Sequence, residues 1–243
     1  MLKIKKLQKI GFLLLFLSSC SPSSNDTFNA SSLIDPEYEF SSYLLYCNLK
    51  DDSLLINLES FLLNYSKNNK NHNLEILLPN NQNIKDFILI LKESVNQNSF
   101  QDFIKSLSEN NFDRIAECTF DTDKLNGLTI LKLEQTDIKN SKNISEVLKC
   151  QYNSNYNYGT FKLTLDKFKN YTKSLKINYE SLYLEPNDHL QYFIWINKFN
   201  SDNYVNEILN NWINTSESKS IKDEFLENAS CIESNYYNSF ELN

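Results

Sequence analysis

Five cysteines, two histidines and a few polar side chains set into apolar runs are the residues of this 243-residue chain that could do chemistry. Cys47, Cys118, Cys150 and Cys231 contain no C-x-x-C pair, which argues for disulfides over structural zinc. Four thiols allow three pairings, and spacing alone does not choose among them. His72 and His189 precede non-equivalent segments, and neither has an orienting partner in the sequence, so both read as surface turn residues rather than haem or metal ligands. The stretch D-T-D-K-L-N-G at 121–127 fails as a calcium loop, because Leu125 stands where an oxygen donor is needed and Asn126 where glycine is needed. There is no G-x-S-x-G elbow, and only three glycines, so phosphate-binding loops are absent. These patterns assign no catalytic residue, no metal and no cofactor. Trp195, Glu185 and Asn197 remain, standing where an earlier segment of the same pattern has Leu89, Leu78 and Leu91. Together they suggest a small-ligand site on the concave face of a sheet.

The composition narrows the function classes. A net charge of −7 removes the electrostatic attraction that underlies most nucleic-acid binding. An aromatic content of 13% supplies the apolar surface an ordered chain requires. The abundance of Asn, Lys and Ile and the single arginine, Arg114, follow from A/T-rich codons and carry no functional meaning.

The first residues read as an address. Residues 1–10 hold four lysines and no acid, and an apolar run follows from Gly11 to Leu17. A basic start, a short apolar stretch and small residues mark an export signal. At ~1.5 Å per residue this run is too short to cross a ~30 Å hydrocarbon core. The segment L-S-S-C at 17–20 resembles the lipobox of bacterial lipoproteins. That resemblance implies cleavage before Cys20 and acylation of its thiol, with the lipid bilayer as partner. Ser21 rather than Asp after the cysteine implies sorting to the outer membrane, facing the periplasm. Residues 20–41 read as a polar tether. Removal of residues 1–19 takes away four lysines and no acid, leaving a mature net charge of −11.

The body carries an internal repeat. Y-L-L-Y-C-N-L (43–49) matches E-V-L-K-C-Q-Y (146–152), each a short strand with a cysteine near its end. Helical stripes follow at Leu54, Leu58, Phe61, Leu62 and Tyr65, and at Leu165, Phe168, Tyr171 and Leu175. L-E-I-L-L-P matches S-L-Y-L-E-P, and F-I-L-I-L-K-E (87–93) matches F-I-W-I-N-K-F (193–199). A second stripe runs through Phe100, Phe103, Ile104 and Leu107 in one half, and through Val205, Ile208, Leu209 and Trp212 in the other. A polar insertion follows at 215–220. Each half then reaches its second cysteine and a last strand, 128–134 or 238–242. The expected fold is α+β, with two tandem ferredoxin-like βαββαβ repeats at 42–138 and 139–243 packed as an intramolecular pseudo-dimer. In the 4-1-3-2 strand order of that motif, the end of the first strand lies beside the start of the fourth. That topology brings Cys47 to Cys118 and Cys150 to Cys231, as expected in an oxidising compartment.

Two such repeats resemble the dimeric α/β-barrel superfamily, in which ferredoxin-like units pack sheet against sheet. They are also similar to a set of exported marine bacterial proteins of unassigned activity, with one cysteine ending the first strand and another before the last. The sequence favours a lipid-anchored, non-catalytic binding or envelope-assembly module whose partner is a small ligand or an envelope protein. The alternative is a barrel enzyme acting on a small apolar or aromatic molecule, which would need a buried pair of polar groups with perturbed ionisation.

Overall fold

The apolar runs at Asn73–Pro79, Asp86–Ser94 and Tyr192–Phe199 form strands that are buried on both faces. The computed structural model describes residues 36–79, 85–120, 124–132, 143–175, 179–186, 192–199, 210 and 215–242. Cys20, most of the tether, His189 and the stripe at 205–212 therefore lie outside the described residues.

The first half contains β1 (Phe40–Leu49), α1 (Leu55–Asn68), β2 (Asn73–Pro79), β3 (Asp86–Ser94), α2 (Phe100–Glu109), a 3-10 turn at Phe112–Arg114, β4 (Ala116–Phe120) and β5 (Leu125–Leu131). The second contains β6 (Asn143–Tyr152), α3 (Tyr158–Ser174), β7 (Glu180–Pro186), β8 (Tyr192–Phe199), α4 (Ser216–Asn228) and β9 (Ala229–Leu242). Three expectations change here. Cys118 and Cys231 lie inside strands, not in the connections before them, and β9 begins nine residues earlier than expected. The segment at 215–220 is not an insertion between helices but the first turns of α4. Thr215 caps it by accepting the backbone N–H of Ser218.

All strand pairings are antiparallel, in the order β3-β2-β9-β6-β8-β7-β5-β1, and β1 pairs back with β3. The result is a closed eight-stranded barrel, with β4 paired to the far end of β1. Sheet-against-sheet packing was expected. Instead the halves join edge to edge, through β2–β9 and β5–β7, so each of the eight barrel strands is paired on both sides.

Three apolar clusters hold this arrangement. Leu58, Leu62 and Tyr65 of α1 and Phe100, Phe103 and Leu107 of α2 pack on the outer face of the first half. Phe161, Leu165 and Phe168 of α3 and Ile221 of α4 do the same for the second. Leu44, Leu77, Ile88, Ile90, Leu182, Leu184, Ile194 and Ile196 fill the middle of the barrel. The α3 helix begins at a capping box formed by Asn157 and Thr160.

Candidate functional site in the barrel

Strand parity decides which side chains reach the interior. In β3, Ile88, Ile90 and Lys92 alternate with the helix-facing Phe87, Leu89 and Leu91. In β8, Ile194, Ile196 and Lys198 alternate with Phe193, Trp195 and Asn197. Lys92 and Lys198 thus enter the same end of the barrel from matching places in the two halves. Each faces a serine across the first strand of its half, Ser42 for Lys92 and Ser145 for Lys198.

Their other neighbours differ. Lys198 Nζ lies 2.6 Å from Glu75 Oε2, 3.2 Å from Glu180 Oε2 and 4.0 Å from Glu241 Oε1. The Lys198 and Glu75 side chains are each only 4% exposed. Glu180 is its cross-strand partner, whereas Lys92 meets the neutral Asn73 at the corresponding place. Burial works against the Lys198 ammonium, but Glu75 and Glu180 outweigh it and hold its pKa above the usual lysine range. Burial would also raise the Glu180 carboxyl, but Lys198 and Lys92 hold it lower than usual, so it stays ionised. Lys92 is pushed down, first by burial and then by the positive charge of Lys198 within hydrogen-bonding reach.

The wall beside Lys92 is aromatic. Its Nζ stands 5.7 Å from the centre of the Phe40 ring. That ring lies over Gly127, directly across from it in β5, where a Cβ would come within 2.3 Å of Phe40 Cε2. Next to Lys198, the buried Ser145 hydroxyl donates to Ser239 at 2.8 Å. Lys92 is half-buried and Glu241 is more than half exposed, so this end of the barrel is open at its rim. At the opposite end, Tyr46, Asn48, Pro79, Asp86, Asn235 and Tyr237 line a cleft of about 510 Å³.

The residues expected to bind a ligand lie elsewhere. Trp195, Asn197 and Glu185 sit on the helix-covered face and not on the concave one, because their parity is opposite to that of Lys198. Trp195 packs among Phe161, Phe168 and Phe225, and its indole N–H donates to Asn197 Oδ1 at 2.7 Å. Asn197 in turn donates to Glu146 Oε2 at 2.9 Å, and Tyr38 O–H donates to Glu185 Oε2 at 2.7 Å. These contacts satisfy polar atoms beneath the helices.

The cysteines join Cys47 to Cys118 and Cys150 to Cys231, each pair directly opposite across two strands, with Cα atoms 4.0 and 3.8 Å apart. His72 is not a solvated turn residue. It lies half-buried, with Nδ1 2.9 Å from the Tyr65 hydroxyl and its ring against Phe103. Lys92, Lys198, Glu75 and Glu180 were not singled out from sequence. The available signal was a lysine ending the third strand's apolar run in both halves.

No family model and no curated relative matches the chain. Two crystal structures share its fold. One is a "putative monooxygenase" from Lactobacillus acidophilus NCFM, with 10% identity, a TM-score of 0.52 and coverage of 84% of this chain and 95% of that one. The other is a "putative monooxygenase" from Fusobacterium nucleatum subsp. nucleatum, with 7% identity, a TM-score of 0.56 and coverage of 86% and 94%. The chain shares the architecture of these two proteins. The expectation of a non-catalytic binding or assembly module is overturned by these neighbours, whose names favour the enzymatic alternative.

Proposed function

We propose that this chain is an enzyme acting on a small apolar or aromatic molecule at the charged end of its barrel. Lys92 is the base, and Lys198 is the fixed positive charge that stabilises the anion produced. One observation carries this reading: two matching lysines face each other inside the barrel, and only Lys198 is held by carboxylates. Burial and the neighbouring Lys198 cation lower the Lys92 pKa, which favours the neutral amine that can accept a proton. Phe40 offers an apolar surface for the substrate. Deprotonated aromatic molecules are electron-rich, so oxygen uptake is the first overall reaction to assay, in keeping with the names of the structural neighbours.

Proton transfer itself is tested by following solvent deuterium exchange at the α-carbon of small alkyl and aryl ketones by NMR. Exchange that Lys92→Met abolishes supports the reading. Exchange that survives this substitution removes Lys92 from it.

The two halves are further proposed to be tandem ferredoxin-like repeats, which the matching strand order of β5-β1-β3-β2 and β9-β6-β8-β7 supports. An acylated Cys20 is proposed to hold the mature protein on the outer membrane, facing the periplasm. Release of Cys20→Ala into the soluble fraction supports the anchor, whereas unchanged membrane association counts against it.

A further inference from the structure

We infer that Lys92 is a nucleophile as well as a base, and forms an imine with small apolar or aromatic aldehydes and ketones. This inference rests on the proposed function and names its substrate class. The geometry supplies three requirements of the step. The amine projects into the barrel from β3 and remains half-buried, so a small molecule at the rim can reach it. Its cross-strand neighbours, Ser42 and Asn73, are uncharged, and no carboxylate among the described residues pairs with it. The Phe40 ring provides the apolar contact that selects an uncharged carbonyl compound over a hydrophilic one.

Lys198 supplies the remaining requirement. Glu75 and Glu180 keep it charged, so it does not compete as a nucleophile and instead faces the oxygen that becomes negative during addition. In the step, the Lys92 nitrogen lone pair adds to the carbonyl carbon while the C=O π pair moves to oxygen. The oxygen takes up a proton at the open rim, and the resulting carbinolamine loses water. The nitrogen gives up its two protons at the rim, the oxygen departs as water carrying two protons taken up there, and a C=N bond replaces C=O, with no oxidant or reductant involved. Burial and the Lys198 charge favour the neutral amine that starts this sequence. Glu75 and Glu180 oppose it from β2 and β7, and the net effect still lowers the Lys92 pKa.

The test incubates the full-length chain at pH 7 with a small amount of benzaldehyde, reduces with sodium borohydride, and maps the benzyl adducts by peptide mass spectrometry. Lys92 is expected to be labelled on the order of tenfold faster than the other lysines. The preference should disappear in urea, and Lys92→Arg should lose the adduct. Labelling spread evenly over the lysines, or equally fast at Lys92 in urea, overturns the inference. If ketone deuterium exchange depends on Lys92 but no adduct is trapped, Lys92 is only a base, and the inference fails while the proposed function stands. If neither is found, both fail.

Discussion

Lys92 and Lys198 occupy matching positions in β3 and β8, each across from a serine, yet Glu180 stands beside one where Asn73 stands beside the other. This single difference in cross-strand neighbour, reinforced by Glu75, leaves one ammonium paired and the other disfavoured. The two lysines should therefore respond oppositely to removal. Lys198→Met leaves buried carboxylates without a counterion and should cost about 3–5 kcal/mol. Lys92→Met should leave the urea midpoint unchanged or higher at pH 7. Its folded pKa lies below the unfolded value, so the protonated side chain penalises the folded state at neutral pH. That advantage of Lys92→Met should fade as pH rises through the unfolded lysine value. Equal losses from the two substitutions would contradict the asymmetry.

The disulfides close loops of 71 and 81 residues, one within each half. Each should contribute about 4 kcal/mol through the unfolded chain. Cys47→Ser with Cys118→Ser, and Cys150→Ser with Cys231→Ser, should lower stability by similar amounts in chemical denaturation. Non-reducing peptide maps should contain no Cys47–Cys150 peptide.

Acidification should weaken the first half through His72. Burial against Tyr65 and Phe103 lowers its pKa, and Glu93 and Asp102 only partly oppose this. The unfolded chain therefore binds its proton first, and stability should fall as pH drops below about 6.5, the ordinary histidine value. His72→Gln should flatten the thermal midpoint between pH 7 and pH 5. An unaltered pH profile would mean that the ring is not held as described.

Gly127→Ala should disturb the charged end from a distance. The new Cβ would meet the Phe40 ring, which must shift from its place beside Lys92. A cost of about 1–3 kcal/mol is expected from the overpacking. Phe40→Leu in the same chain should recover the stability but not the Lys92-dependent ketone exchange.

Much of the architecture was legible, because apolar periodicity, two cysteines and a proline recur in the same order in both halves. The sidedness was not. Strands such as F-I-W-I-N-K-F are apolar at both parities, since one face meets helices and the other meets the barrel interior. Asn197 therefore looked like the polar departure on the concave face, although it is Lys198, one residue later, that points inward. The long β9 was equally hidden, because its middle reads I-E-S-N-Y-Y-N, a polar run held in strand form by pairing with β6 and β2. Edge-to-edge closure likewise depends on which strands meet, and apolar periodicity does not encode that.

The covalent connection between the two halves has a chemical consequence. Two identical subunits meeting on a twofold axis would present the same lysine twice in the same surroundings, and any substitution beside one would appear beside its mate. A single polypeptide can place Glu180 next to one amine and Asn73 next to the other. Two matching halves on one chain can in this way turn a symmetric cationic pair into an unequal one, with a paired, permanent charge on one side and a disfavoured ammonium on the other.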